Sequence, residues 1–164
     1  LGSMLLAFSY PFMKRITYWP QLFLGLTFNW GMIMGWVAIM DQFSLEIILL
    51  YIAAIFWTLG YDTIYGAQDI ADDEIIGLKS TAIKFKKKIK FFTSLCYLIT
   101  SLLVLSLFIG DLKINFSFFL LIMFFLTLII QIKIFKKKDS YSCLKAFKIN
   151  NLSGFLMFMF IYLI

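Results

Sequence analysis

The chain has 164 residues, of which 62% are apolar and 20% aromatic, and its formal net charge is +6. Soluble domains average about 45–50% apolar residues, so the composition excludes a soluble enzyme, a secreted module and a disordered linker. The sequence instead predicts one all-α membrane domain, residues 1–164, with an apolar surface that faces lipid. It contains no histidine and two cysteines, which excludes imidazole-based catalysis and a disulfide framework.

Apolar segments follow one another along the chain. The first ends near Tyr10 and is too short to span a bilayer, so we interpret it as the end of a helix whose beginning is missing. Five longer segments follow, and a spanning helix needs roughly 20 residues. They cover residues 21–40, 45–61, 91–109, 114–135 and 151–164. The last is short, and extension from Ala146 would complete it. The sequence therefore predicts a polytopic transmembrane bundle of about five helices.

The basic residues lie in alternate connectors between these segments. All 15 lysines and arginines except Lys113 lie in or beside the connectors before the first, after the second and after the fourth predicted span. Positively charged connectors remain in the cytoplasm. We therefore expect a multi-pass protein whose basic connectors are cytoplasmic.

The carboxylates are concentrated in one stretch. Five of the nine lie in residues 62–74, at the cytoplasmic end of the second predicted span. If the helix continues through this stretch, Asp62, Asp69 and Asp73 share one narrow face, with Asp72 beside it. Like charges at that spacing repel, and Mg²⁺ would compensate them because it binds carboxylates together with substrate phosphates. A solvated acidic loop at the membrane edge is the alternative, but the costly position of Asp62 near the hydrocarbon favours function.

Basic residues lie near these acids in the predicted topology. Lys79 follows the acidic stretch, and Lys14 and Arg15 lie on the same side of the membrane. Carboxylates for a metal beside cations for an anion are typical of a diphosphate site. Asn29, in the middle of the first span, is either an interhelical polar contact or a substrate-binding residue. The lysine run in residues 84–90 is predicted to contact membrane lipids rather than nucleic acid, because this face lies against the bilayer.

Three stretches together resemble the UbiA prenyltransferase family. They are residues 10–15, 62–73 and 76–82, and residues 143–151 are similar to the members that act on 4-hydroxybenzoate. The family has nine transmembrane helices, so the resemblance implies that the five spans correspond to the last five. It further implies transfer of a polyprenyl group from polyprenyl diphosphate to 4-hydroxybenzoate in ubiquinone biosynthesis. The implied cofactor is Mg²⁺, and the implied location is a bacterial inner membrane.

The resemblance also implies roles for individual residues. Asp69 and Asp73 correspond to the metal-binding and catalytic pair of the family's second Asp-rich motif, with Asp62 and Asp72 in support. Arg15 is implied to be a catalytic cation that holds the diphosphate or the carboxylate of the acceptor. The implied substrate-binding residues near the diphosphate are Tyr10, Lys14, Arg15 and Lys79.

One family motif is absent from the sequence. The first Asp-rich motif, Asn-Asp-x-x-Asp, does not occur in the 164 residues. We therefore expect the chain to be the C-terminal part of such an enzyme, inactive alone, with the missing N-terminal half as a further partner. The alternatives are a UbiA enzyme for another aromatic acceptor and a non-catalytic membrane protein, such as a transporter fragment with an acidic ion site.

Overall fold

A computed structural model describes residues 2–164 of the chain. Within those residues the chain forms α-helices and no β-strand, which confirms the predicted all-α bundle. In chain order the helices are α1 (Gly2–Ile16), α2 (Pro20–Phe28), α3 (Trp30–Met40), α4 (Leu45–Gly66), α5 (Ile70–Ile75), α6 (Thr81–Lys84), α7 (Ile89–Phe108), α8 (Phe116–Ile134) and α9 (Ser140–Leu163).

Five helical segments are long and apolar enough to cross a membrane. They are α2 together with α3, then α4, α7, α8 and α9. The first is interrupted at Asn29 and begins at Pro20, and proline is common in the first turn of a helix. The number of spans is therefore confirmed.

The last helix is longer than its apolar segment. It begins at Ser140, which is earlier than residue 151 and also earlier than the extension from Ala146. The Asp139 carboxylate accepts a hydrogen bond from the Tyr141 N–H at 3.1 Å, which satisfies a donor of the first turn. The first turns of α9 carry Lys145 and Lys148, so hydropathy alone does not reveal them.

The acidic stretch is not one continuous helix, so the expectation that it continues from the second span is wrong. After Gly66 the N–H groups of Ala67 and Gln68 donate to carbonyl oxygens three residues back, at 3.2 Å each. These tight bonds end the α-helical pattern, and α5 begins only at Ile70. The two helices are therefore separate elements.

Helix α5 ends in a glycine turn. Gly77 adopts a left-handed conformation with φ of 73°, which costs glycine little because it has no Cβ. The Leu78 N–H then donates to the Asp73 carbonyl oxygen at 2.8 Å, and the Gly77 N–H donates to that of Glu74 at 3.3 Å. This pair of bonds is a Schellman motif. It turns the chain back toward α1.

The basic connectors meet at one end of the bundle. The Lys79 N–H donates to the Lys14 carbonyl oxygen at 2.7 Å, and the Lys137 ammonium donates to the Lys86 carbonyl oxygen at 2.9 Å. These contacts join all three basic connectors, as their alternation in the sequence predicts. We call this end of the molecule the basic end. Helix α4 ends at the basic end, so the acidic stretch that begins in its last turns lies there too. This helix packs against α2, α3, α7 and α9.

Candidate functional site

A small polar cavity of about 70 Å³ lies at the basic end, between α1, α2 and the end of α4. Two phenols, one ammonium, one amide and two carboxylates contribute to its wall. The lining residues are Tyr10, Lys14, Pro20, Gln21, Asp62, Tyr65, Gly66 and Asp69. Each acid or base in this set comes from one of the stretches that the sequence singles out. We call it the Lys14–Asp62 cavity.

Helix geometry places the α1 residues together. Tyr10 and Lys14 are four residues apart, so their side chains project from the same face of α1. Both are half-buried. The Lys14 carbonyl oxygen also accepts a hydrogen bond from the Lys79 N–H. This bond joins α1 to the segment that follows the acidic stretch. The phenol and the ammonium are therefore held at the wall of the cavity by helix packing and by this bond.

The two cavity carboxylates stand on either side of the turn after α4. Asp62 lies in the last turns of α4, and Asp69 is the residue that precedes α5. Both are half-buried. The Asp69 carbonyl oxygen accepts the Asp73 N–H at 2.8 Å, so the turn and α5 form one connected unit. The cavity thus brings Asp62 and Asp69 together with Lys14, as predicted.

Asp73 is the most buried of the acids, with 7% of its surface exposed. Burial raises the pKa of Asp73 above its usual value, the Lys14 ammonium partly offsets this, and Asp69 and Asp72 raise it further. The charge on Asp73 is therefore disfavoured by its surroundings. A bound cation would stabilise it.

The expected trio of acids on one helix face is not observed. Because α4 ends before Asp69, Asp62 and Asp69 meet in the cavity while Asp73 lies on α5 outside its lining. Asp72 is exposed to solvent. Within residues 2–164 no three acidic or cysteine side chains are grouped closely enough to hold a metal ion by themselves. Two carboxylates are, however, the usual protein share of a Mg²⁺ site that also includes substrate phosphates, so the donor set fits that ion.

Three other predicted residues lie outside the cavity. Arg15 is exposed on the last turn of α1. The Lys79 ammonium donates to the Ile16 carbonyl oxygen at 3.1 Å and so caps α1. The Asn29 amide donates to Gly25 of its own helix at 2.8 Å and to the Thr58 hydroxyl of α4 at 2.9 Å. This is the interhelical contact that the sequence left open. Substrate binding by these three residues stays a prediction.

Sequence reasoning missed a chain of buried polar groups that begins at Gln21 in the cavity wall. The Gln21 side-chain oxygen accepts the Thr81 N–H at 3.0 Å, and the hydroxyls of Thr63 and Thr81 are 2.6 Å apart. All three residues are buried. They join α2, α4 and α6, which hold the cavity walls at fixed spacing. The position of Gln21 directly after the proline that opens a span was the one available signal.

The comparisons with known proteins agree with the resemblance. The UbiA prenyltransferase family matches residues 1–163. The chain belongs to this family. The 4-hydroxybenzoate octaprenyltransferase of Psychromonas ingrahamii is 41% identical over 164 residues, which are 99% of this chain and 56% of the relative. That of Pasteurella multocida is 42% identical over 159 residues, which are 96% of this chain and 54% of the relative.

A third relative shares a shorter region. The human mitochondrial 4-hydroxybenzoate polyprenyltransferase is 57% identical over 90 residues, which are 54% of this chain and 24% of the relative. The chain spans about half the length of the two bacterial relatives. No solved structure shows a significant match. Together with the five candidate spans, membership of the UbiA family makes this a multi-pass membrane protein.

Proposed function

We propose that this chain is part of a membrane enzyme that transfers a polyprenyl group from polyprenyl diphosphate to 4-hydroxybenzoate in ubiquinone biosynthesis. The observation that carries the proposal is the Lys14–Asp62 cavity, which places an ammonium beside the carboxylates of Asp62 and Asp69 at the end of a membrane bundle. Identity of 41–42% with two octaprenyltransferases over nearly the whole chain supports it. We place the protein in a bacterial inner membrane with the basic end in the cytoplasm.

The carboxylates and the cation have separate roles in this proposal. Asp69 and Asp73, the pair that the family resemblance implies, would hold Mg²⁺, with Asp72 and with Asp62, which shares the cavity with Asp69, in support. The ion would supply Lewis-acid stabilisation of negative charge on the diphosphate. The Lys14 ammonium and the Tyr10 hydroxyl donate hydrogen bonds to the diphosphate oxygens, and Lys79 adds positive charge from outside the cavity lining. These donors stabilise the charge that develops on the leaving group.

The transfer exchanges one bond for another in the apolar interior of the bundle. The bond between the allylic carbon and the diphosphate oxygen breaks, and the diphosphate leaves with the electron pair. The ring carbon of 4-hydroxybenzoate next to the phenol-bearing carbon forms the new carbon–carbon bond. A carboxylate or the departing diphosphate takes the ring proton. The surrounding apolar helices keep water away from the carbocation.

Arg15 and Asn29 complete the proposed binding set. Arg15 follows Lys14 at the rim of the bundle and is exposed, so its guanidinium is available to hold the diphosphate or the carboxylate of the acceptor in two parallel hydrogen bonds. Asn29 is engaged with Thr58 in the bundle interior. Its contribution to substrate binding is therefore through the position of α2 against α4.

The described residues supply one side of a larger site. A cavity of about 70 Å³ holds a few water-sized groups, whereas a pocket for a small organic ligand has roughly 300–1,000 Å³. We therefore propose that a second group of carboxylates, from an N-terminal half similar to that of the bacterial relatives, completes the site. The chain alone is then inactive.

The test reconstitutes the site from two chains. The 164-residue chain is expressed alone and together with the N-terminal half of the Psychromonas ingrahamii relative, and membranes receive octaprenyl diphosphate, 4-hydroxybenzoate and Mg²⁺. Prenylated 4-hydroxybenzoate is expected only from the pair, with loss of product on chelation by EDTA and recovery with Mg²⁺. The intact relative is the positive control.

The other outcomes distinguish the alternatives. Product from the chain alone contradicts the need for a second half. Product with a naphthoate but not with 4-hydroxybenzoate would show that the proposed acceptor is wrong. It would favour a UbiA reaction on a different aromatic acceptor. If the two halves purify together and transfer no prenyl group to any aromatic acceptor while the intact relative is active, the enzymatic proposal is wrong. The position of the carboxylates at one end of the bundle, rather than at its middle, argues against the transporter alternative.

A further inference from the structure

Lysines and aromatic rings form a second polar surface at the basic end, separate from the Lys14–Asp62 cavity. It lies where α2 and α7 enter the apolar part of the bundle. We call it the lysine–aromatic patch, and it consists of Trp19, Lys84, Phe85, Lys87, Lys88 and Phe92. The proposed prenyl transfer uses none of these residues.

Three rings form the base of the patch. The Trp19 ring lies edge-on to Phe85 and Phe92, with centroid distances of 5.8 Å and 6.1 Å. Phe85 and Phe92 stack at 3.9 Å. Trp19 directly precedes the span that begins at Pro20, and Phe92 lies in the first turn of the span that begins at Ile89. The rings therefore lie at the level of the membrane–water interface, which is a position that aromatic residues favour.

The lysines of the patch carry charge without an acidic partner. The Lys84 ammonium lies 4.3 Å from the centroid of the Trp19 ring, a cation–π contact that holds it at the level of the interface. Lys84, Lys87 and Lys88 are exposed. In the part of the chain that the structure describes, the one ion pair joins the neighbouring Lys86 to Glu74 at 2.6 Å. The patch thus keeps three positive charges for an external anion.

A groove of about 360 Å³ runs along residues 83–88, between these lysines and the Phe85 ring. We propose that this groove binds the headgroup of an anionic phospholipid, with the phosphate near the ammonium groups of Lys84, Lys87 and Lys88. The glycerol and the first part of the acyl chains then contact the rings of Trp19 and Phe85. The positive charge, the aromatic rings and the position of the patch at the level of the membrane–water interface all match such a lipid. A soluble anion would interact with the charge alone.

The experiment uses the full chain, purified in a neutral detergent. Phosphatidylglycerol or phosphatidylcholine is added, and retained lipid is counted by native mass spectrometry while the thermal midpoint is followed by intrinsic fluorescence. We expect phosphatidylglycerol to be retained and to raise the midpoint, and phosphatidylcholine to do neither. Inorganic phosphate and glycerophosphoglycerol form a further arm. If they raise the midpoint as much as the lipid does, the groove binds a free anion and the proposal is overturned.

Matched variants locate the site. K84Q/K87Q/K88Q is expected to weaken phosphatidylglycerol binding about 100-fold, because each lysine near an anionic lipid contributes about fivefold. K133Q/K145Q/K148Q removes the same charge from exposed positions elsewhere at the basic end and should change binding less than about twofold. W19L, which leaves the charge unchanged, should weaken binding by about fivefold if the cation–π contact positions Lys84.

Two results would overturn the assignment. Equal losses in the two triple variants would show that total charge, rather than this groove, binds the lipid. Unchanged binding in K84Q/K87Q/K88Q would show that these three lysines do not bind the lipid. K84R/K87R/K88R retains the charges and is expected to bind as the unmodified chain does, which separates the loss of charge from any effect of three substitutions on folding.

Discussion

Gly60 of α4 packs directly against the ring of Tyr97 on α7. A Cβ atom on residue 60 would lie 2.7 Å from Tyr97 Cδ1 and closer still to Cε1. The ring is held in this position, because Tyr97 is 3% exposed and its hydroxyl donates to the Gln131 side-chain oxygen at 2.5 Å. Gly60 lies two residues before Asp62. The contact therefore sets how closely α4 approaches α7 just below the Lys14–Asp62 cavity.

Gly60→Ala is accordingly expected to destabilise the bundle. Forcing a methyl group into a packed interior costs about 1–3 kcal/mol, and the thermal midpoint in detergent should fall. Gly35→Ala is the matched control, because nothing lies within 4 Å of a Cβ at that helical position. Alanine favours a helix over glycine by up to about 1 kcal/mol, so the control should equal or exceed the unmodified chain. Equal midpoints for the two variants would contradict the packing argument.

The bond between Gln21 and Thr81 gives a second prediction. Gln21→Leu leaves the buried Thr81 N–H without its acceptor, which costs about 1–3 kcal/mol. The free energy of unfolding in mild detergent measures the loss. Gln42→Leu is the control, because Gln42 is exposed in the connector at the other end of the bundle, and such substitutions change stability by less than about 0.5 kcal/mol. If Gln21→Leu behaves as this control does, the bond does not contribute to the cavity wall.

The spans were predictable because the information for them is local. Length and hydropathy are properties of each segment alone. The alternating charge of the connectors assigns them to opposite sides of the membrane without information from any tertiary contact. The start of α9 was missed for the same reason. Lys145 and Lys148 make its first turns polar, and only the cap at Asp139 marks where the helix begins.

The sequence places four of the residues that line the cavity, Tyr10, Lys14, Asp62 and Asp69, at one end of the bundle, but it does not predict how they are arranged. The positions of Asp62, Asp69 and Lys14 follow from topology, which brings their segments to one end of the bundle. The turn after Gly66 depends on contacts with distant residues. Gln21 and Thr81, for example, are 60 positions apart, and nothing in a local pattern indicates that they pair. Periodicity therefore placed Asp73 on the same helix face as Asp62, whereas the fold places it on a separate helix.

Asp69 and Asp73 test the proposed metal site in the two-chain assay. Asp69→Asn should reduce Mg²⁺-dependent turnover by at least about 100-fold, because even the partners of a metal ligand cost about 10–100-fold when they are changed. Asp73→Asn should reduce turnover similarly. Asp111→Asn, at an exposed position at the opposite end of the bundle, should leave turnover unchanged. Normal turnover in both Asp69→Asn and Asp73→Asn removes the site assignment.

Asp73→Asn should also separate activity from stability. The pKa of Asp73 is raised in the fold, so the charged carboxylate is less favourable in the folded chain than in the unfolded one. That unfavourable contribution appears as the pH rises through the unfolded value toward the folded value, and it is present in full above both. A neutral amide avoids it. At neutral pH the variant should therefore be inactive with a thermal midpoint equal to or above that of the unmodified chain, and a lower midpoint would show that the carboxylate has a structural role.

The last prediction concerns a buried polar network that joins α7, α8 and α9. Beyond its bond to Tyr97, the Gln131 amide donates to the Ser153 hydroxyl at 3.0 Å, and that hydroxyl lies 2.7 Å from the Thr127 hydroxyl. Interhelical hydrogen bonds in membrane proteins contribute about 0.6 kcal/mol on average and up to about 1.7 kcal/mol. A double-mutant cycle of Tyr97→Phe with Gln131→Leu should therefore give a coupling energy of about 0.6–1.7 kcal/mol in the free energy of unfolding. Tyr97→Phe with Ser106→Ala should be additive, because the exposed Ser106 hydroxyl bonds within its own helix to Leu103. Additivity in both cycles would mean that the network contributes nothing specific to the packing of these helices.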